Sequence, residues 1–314
     1  MVLGDLAPAA TFIAANYNLP FDVHEFARAA RRILSEVELE IGWMYETLHT
    51  DGKTKGRIEY TVWSEAFTCP DCAGEVVFLE QALDPKTERV REAFPCPHCG
   101  AEMDKERLDR VFESRVDPAS GRPWKRVKFV PVLISYRVGK QRFEKRLDEH
   151  DRDILERIDK LPFPADVPVN RFPIDQMYHG SRIEPKGFTH IHHFFLPRAA
   201  HALAALWRKA QAWPDKRIRH MLLFFVEQAI WTMSMMNRYQ PQGYKQVNKY
   251  LPGVYYVPSQ HCELSPWYAI EARGIRMSKV FAAFRSQSDS ATIATATAAR
   301  LDLPDNSIDY IFTD

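Results

Sequence analysis

The stretch Leu303-Pro304-Asp305-Asn306-Ser307-Ile308-Asp309-Tyr310-Ile311-Phe312-Thr313-Asp314 decides what fold to expect of the residues before it. Pro304 to Ser307 has the composition of a turn, and the largely apolar Ile308 to Thr313 that follows predicts a buried strand of an α/β sheet. Such a strand normally passes into a loop and crossover helix at its carboxyl end, where ligands also bind, so a chain stopping at Asp314 reads as cut. Working outward, Thr292 to Thr297 predicts a companion strand after the polar break Ser286 to Ser290. At the far end Val2 to Gly4 predicts another strand. Asp5 sits at its end, and Pro8 suits the first turn of a helix running to about Asn16.

Between these ends helical spacing dominates. Asp22 with Glu25 resembles a capping box, and Phe26, Ala29, Ala30, Ile33, Leu34, Val37 and Ile41 form one apolar stripe of a helix expected to reach Thr47. Aromatic and β-branched residues from Arg57 to Leu79 predict short strands around the first cysteine pair. Val127 to Tyr136 and Gln141 to Arg146 predict a strand pair turning at Gly139. Asp148 to Lys160, Ala199 to Trp213, Lys216 to Met236 and Trp267 to Phe284 predict further helices, with proline-rich Leu161 to Lys186 as a linker. The expected organisation is a core start at 1–50, a cysteine-bearing insertion at 51–115, a mixed β-hairpin and helical region at 116–285, and a return to the core at 286–314.

With 314 residues and 46% hydrophobic composition the chain can bury a large core, which excludes a fibre or a disordered tail. Its 42 basic and 41 acidic side chains leave a net charge of +1, so any nucleic-acid binding must come from local patches. The start Met-Val-Leu-Gly-Asp lacks the features of a signal peptide, and Glu227, Gln228 and His220 argue against a membrane span at 221–236. A cytoplasmic protein is expected.

Four of the five cysteines form two Cys-Pro-x-Cys units, Cys69-Pro70-Asp71-Cys72 and Cys96-Pro97-His98-Cys99. Each unit puts two thiolates on one turn, and two such turns complete a tetrahedron around zinc. Reactive dithiols or unpaired core cysteines would not explain the repeated unit. Four protein ligands leave no open position, so one structural zinc is expected, with Gly74 and Gly100 where the backbone folds back past each pair. Cys262, beside His261, reads as a small buried hydrophobe.

The C-terminal stretch resembles the sequence that leads into Asp-Pro-Pro-Tyr/Phe in the amino-DNA methyltransferases, with only the first residue of that motif present. Leu3-Gly4-Asp5-Leu6-Ala7-Pro8-Ala9-Ala10 is similar to the strand and turn after the family's glycine-rich cofactor loop. Gly42-Trp43-Met44-Tyr45-Glu46-Thr47, Tyr60-Thr61-Val62-Trp63-Ser64, Thr189-His190-Ile191-His192-His193-Phe194-Phe195 and Met236-Asn237-Arg238-Tyr239 resemble a subgroup of large bacterial methylases bearing a zinc-ribbon insertion. The resemblance spans nearly the whole chain. It implies a partial Rossmann-like methyltransferase core, of α/β class, interrupted by a zinc-ribbon and mixed α+β/helical insertion.

The resemblance further implies S-adenosylmethionine as methyl donor and an adenine amino group in DNA as acceptor. Asp5 would accept hydrogen bonds from the donor's ribose hydroxyls, Asp302 would lie near its adenine, and Asp314 would be the catalytic acceptor for the base's amine. Without the resemblance, Asp5 is a solvated helix-start residue and Asp314 a charged terminus. A chain lacking the glycine loop and the Pro-Pro-aromatic should not methylate alone, and a second chain would supply them. The alternatives are a non-catalytic zinc-ribbon DNA-binding protein and a fragment of an RNA methyltransferase.

For DNA contact the candidates are Lys125, Arg126, Lys128, Arg142 and Lys145 on the predicted hairpin, and Asn237 with Arg238 at a helix end. A ribbon of this kind tracks phosphates, and a charged solvated hairpin is the competing reading. His190, His192 and His193 are expected to divide between two faces of an extended segment and to take packing or hydrogen-bonding roles rather than bind metal.

Overall fold

The computed structural model describes residues 1–84, 86–87, 89–177, 180–241, 246–249, 254–284, 291–299 and 303–313, and it is mixed α/β. Strand β1 (Val2–Asp5) turns through a hydrogen bond from the Ala7 amide to Asp5 Oδ1, 2.7 Å, into helix α1 (Pro8–Asn18). Helix α2 (Val23–Ile41) starts where the Asp22 carboxylate accepts from the His24 and Glu25 amides, and it buries the whole expected apolar stripe. It stops at Ile41 instead of Thr47. A 3-10 turn at Gly42–Tyr45 swings Met44 and Tyr45 into the core, and strand β2 (Glu46–Leu48) then pairs with a neighbour. Cross-strand hydrogen bonds satisfy the backbone there as well as another helical turn would.

Strand β3 (Lys55–Thr68) is a single 14-residue strand where short ones were expected. After it come β4 (Glu75–Val77), the short helix α3 (Phe78–Ala82), the pair β5 (Ala93–Pro95) and β6 (Glu102–Asp104), and β7 (Asp109–Arg110). Two hairpins follow, β8 (Phe112–Val116) with β9 (Pro123–Val127), and β10 (Phe129–Val138) with β11 (Gln141–Lys145). The second turns at Gly139, whose φ of 59° is the left-handed conformation its position required.

Helix α4 (Glu149–Asp159) carries a reciprocal capping box between Asp148 and Asp151. Then come α5 (Gly180–Ile183), α6 (Pro197–Gln211), α7 (Lys216–Met233), β12 (Arg238–Gln240), β13 (Gln246–Lys249), β14 (Gln260–Leu264), α8 (Pro266–Phe284) and β15 (Thr292–Thr295). The main sheet runs β11-β10-β3-β14-β12-β13, with β2, β4 and β7 also on β3. Helices α2, α6, α7 and α8 bury Phe26, Leu206, Phe225 and Ile270 in one core with Tyr60, Val62 and Ile134 of the sheet. This core and sheet run without a break across residues 50 and 115. Among the described residues no helix is long and apolar enough to cross a membrane.

An ion pair lies buried between sheet and helices. Arg198, at the start of α6, meets Glu263 of β14 through Nη2–Oε2 at 2.6 Å and Nε–Oε1 at 3.2 Å. The guanidinium also donates to Thr61 Oγ1 and the Met44 carbonyl and lies over the Tyr45 ring, while Trp63 Nε1 donates to the carboxylate. Burial opposes the charge on Arg198, yet Glu263 holds its pKa above the ordinary arginine value.

β1 stands apart from that sheet, in a two-stranded parallel pair with β15 in the register Val2↔Thr292 to Asp5↔Thr295. Arg217 of α7 ties this pair to the helices, donating to the Ala15, Asn16 and Leu19 carbonyls at the end of α1 and to Asn16 Oδ1. The Ala15 carbonyl already accepts from the Leu19 amide, whereas Asn16 is followed four residues on by Pro20, which has no N–H to give, and the cation meets these oxygens at the negative end of the helix.

One expectation fails here. Residues 308–313 form no strand, and Tyr310 and Phe312 are 80% and 77% exposed. A strand apolar on both faces needs cover on both. Ile308 and Ile311 are exposed as well, so among the described residues nothing covers either face.

Removing one partner of the Arg198–Glu263 pair leaves a buried charge without compensation. Glu263→Gln and Arg198→Met should each lower the unfolding free energy by about 3–5 kcal/mol in urea titrations. The double variant should recover part of that loss, and additive losses would contradict the coupling.

Candidate functional site

Cys69 follows directly on β3 and Cys96 directly on β5, so two strand ends deliver the two knuckles. The turns repeat one hydrogen-bond pattern. Cys69 N–H donates to the Gly74 carbonyl and Ala73 N–H to that of Cys69, as Cys96 N–H does to Ala101 and Gly100 N–H to Cys96. The left-handed residues of these turns are Ala73, φ 58°, and Gly100, φ 76°. Gly100 therefore has the expected task and Gly74 does not. Gly74 is needed for space, because a Cβ there would lie 2.4 Å from the His98 ring, which is fixed by its 2.8 Å contact to the Glu75 carbonyl.

The four sulfurs lie within 4.8 Å of one another, with Cys69–Cys99 at 3.8 Å and Cys72–Cys96 at 3.7 Å. None is in a disulfide. A zinc–sulfur length of about 2.3 Å sets the edge of a tetrahedron at roughly 3.8 Å, so the cluster is compatible with a zinc site. Burial raises the Cys96 thiol's pKa, but amides of Cys99 and His98 directed at its sulfur outweigh this and bring it down to about 6. Cys262 is fully buried on β14 as a packing residue, and burial pushes its thiol pKa up.

Most of the sequence-predicted DNA contacts already have partners inside the protein. Arg126 is buried against Glu113 at 2.7 Å, and Lys128 reaches Glu75 at 2.7 Å. Arg142 pairs with Glu59 Oε2 at 2.5 Å, Arg137 pairs with the other oxygen of the same carboxylate, and Lys145 is held by Asp148, Asp151 and the Leu48 carbonyl. Asn237 is fully buried, its amide donating to the Thr232 and Cys262 carbonyls. Lys125 is exposed with its ammonium over the Phe112 ring, and Arg238 lines a cleft beside the cysteine knuckles. Asp5 is exposed at the carboxyl end of β1. Asp302 and Asp314 lie outside the described residues.

The histidines do not divide between two faces. A 3-10 turn at Ile191–Phe194 brings His192 and His193 together on Asp117 Oδ2, at 2.9 and 2.8 Å. Sequence reasoning missed Asp117, which lies 75 residues before His192. Its other oxygen accepts from the Ala119 and Ser120 amides, an Asx turn that Asp117-Pro118-Ala119-Ser120-Gly121 does announce. His193 Nδ1 accepts from the Thr189 amide, so Nε2 carries the proton and donates to Asp117. In that tautomer neither ring nitrogen of His193 has a free lone pair, so Asp117, His192 and His193, whose ligand atoms lie within 4.8 Å of one another as a metal site would need, are held here as a hydrogen-bonded clamp. Burial holds His193 down at about 4 despite Asp117, and burial resisted by the two histidines and Ser120 leaves Asp117 well below the usual carboxylate range.

His261 of β14 lies between the Trp63 and Phe129 rings, fully buried, with neither ring nitrogen partnered among the described residues. Burial, then the positive charges of Arg126 and Lys186, lower its pKa to about 3.

Comparison of the chain with protein-family models, curated proteins and solved structures finds no match in any of the three.

These shifts fix the sign of the acid response. His193 and His261 bind a proton near 6.5 when unfolded but only near 4 and 3 when folded, so the unfolded state holds more protons between those values. Stability should therefore fall as pH drops from about 6.5 toward 4, in urea titrations across that range. His261→Phe should remove part of that slope and raise stability at neutral pH by about 1 kcal/mol, since it deletes two unsatisfied polar atoms at nearly constant shape. An unchanged slope would refute the assignment.

Proposed function

We propose that this chain is part of an S-adenosylmethionine-dependent DNA amino-methyltransferase, with a zinc ribbon inserted in a Rossmann-like core. The observation that carries the reading is the parallel pairing of β1 with β15. Two strands separated by almost the whole chain lie side by side, and α1 packs back on them, with Thr11 Oγ1 2.7 Å from Thr295 Oγ1. An insertion between neighbouring strands of one parallel sheet would leave this arrangement. Asp5 then stands at a strand's carboxyl end, where such sheets bind ligands, and its carboxylate is suited to ribose hydroxyls. Asp302 and Asp314 keep the roles given by the resemblance, near the donor's adenine and at the target amine.

Cys69, Cys72, Cys96 and Cys99 would hold one zinc ion. Having no vacant position, it would act on the structure alone, fixing the ribbon against the end of β3. The non-catalytic reading, a zinc-ribbon DNA-binding protein, is favoured by the lack of a strand at 308–313.

Calorimetric titration with S-adenosylmethionine separates the two. The methylase reading expects saturable binding, weakened about tenfold by Asp5→Asn through loss of a charge-assisted hydrogen bond. No binding by a folded chain would leave only the non-catalytic reading. Elemental analysis should give one zinc per chain, and Cys72→Ser should lose it together with protection of residues 69–110 from proteolysis.

A further inference from the structure

The knuckles Cys69-Pro70-Asp71-Cys72-Ala73-Gly74 and Cys96-Pro97-His98-Cys99-Gly100-Ala101 share one backbone pattern and differ in sequence at three places. Ala73 and Gly100 take the same left-handed conformation, so that difference leaves the turn unchanged. The other two differences belong together. The His98 ring lies against Gly74, where an added Cβ would come within 2.4 Å of it, and His98 Nε2 donates to the Glu75 carbonyl at 2.8 Å. Asp71, in the corresponding place of the first knuckle, makes no hydrogen bond among the described residues, and Ala101 stands where Gly74 does. The glycine is therefore the counterpart of the histidine, since only the knuckle that the ring crosses gives up its Cβ.

The contact lies where the cluster has least support. Cys69 and Cys96 are buried in an apolar cluster with Phe67, Val76, Phe94 and Met103. Cys72 and Cys99 are exposed, so packing does not place them. His98 directly precedes Cys99, and Gly74 comes two residues after Cys72. Sulfur contacts aside, the bond from His98 to Glu75 is the one hydrogen bond between residues 69–77 and 93–104 among the described residues. Its acceptor is firmly held. Glu75 opens β4, pairs with Thr68 of β3, and takes Lys128 on its carboxylate at 2.7 and 2.9 Å. The His98 amide also points at Cys96 Sγ, 3.4 Å away, so one residue serves its own knuckle through the backbone and the other through the ring.

We infer that His98 is a positioning residue for the zinc site, fixing the second knuckle against the first so that the exposed sulfurs of Cys72 and Cys99 keep the arrangement that the buried pair begins. The inference rests on the zinc reading above. Groups that orient metal ligands without touching the metal contribute about 10- to 100-fold in affinity, and an exposed one such as His98 belongs at the lower end.

Zinc affinity of the full chain, measured by competition with a chromophoric chelator, and the spectrum of its cobalt(II) form test it. His98→Ala should bind zinc about tenfold less tightly and shift the cobalt d–d bands. His98→Gln, which returns an N–H donor to the Glu75 carbonyl, should come within about threefold of the native affinity. Gly74 has no left-handed φ, so its backbone accepts alanine and only the ring objects. Gly74→Ala should accordingly cost about tenfold beside His98 and almost nothing in the His98→Ala background, a non-additivity expected of groups in contact. With the metal removed, the native and His98→Ala chains should unfold at the same urea concentration. Native zinc affinity in His98→Ala, additive losses for the pair, or equal destabilisation of the metal-free chain each overturns the inference and leaves the zinc reading standing. A native chain that takes up no zinc in elemental analysis overturns both.

Discussion

Strand β3 constrains everything else, because both of its edges are hydrogen bonded along most of its length. β10 takes one side from Arg57 to Glu65, β14 takes the other from Tyr60 to Ser64, and β2, β4 and β7 take what is left at the two ends. A strand held in this way cannot slip, since a one-residue shift would exchange its buried and outward faces. Its last residue, Thr68, therefore fixes where Cys69 must be. The first knuckle is a continuation of the main core, and the second is brought to it by β5 and β6.

The Arg198–Glu263 pair belongs to the same frame. A carboxylate and a guanidinium out of water are tolerated because Thr61, Trp63 and the Met44 carbonyl complete their hydrogen bonds. Thr61 and Trp63 sit on β3, and Glu263 itself on β14. The network therefore specifies which helix lies on which strands, something that apolar packing alone would leave looser. The comparison with Glu59 is instructive, since one carboxylate serving both Arg137 and Arg142 consumes hairpin cations that look free in the sequence.

The sequence was legible where one local rule decides the outcome. Helical spacing located α2, α6, α7 and α8, a glycine located the β10–β11 turn, and the repeated Cys-Pro-x-Cys unit located four sulfurs that do come together. It was illegible where partners lie far apart. Nothing near His192 announces Asp117, and nothing near Lys128 announces Glu75. Local rules also misplaced the left-handed residue of the first knuckle, where the chain uses Ala73 and keeps Gly74 to accommodate His98. The strand expected at 308–313 shows the same limit, because an apolar pattern states a need for cover without saying what provides it.

The β1–β15 pair differs from β3 in one respect with practical weight. Among the described residues each of its strands has a neighbour on one side only, and Val2, Leu6 and Tyr310 to Phe312 are exposed nearby in sequence. Open backbone edges beside apolar side chains are templates for chain-to-chain pairing. The outer edges of β1 and β15, like those of β11 and β13 at the ends of the main sheet, are thus the places where copies of this chain would first pair at high concentration.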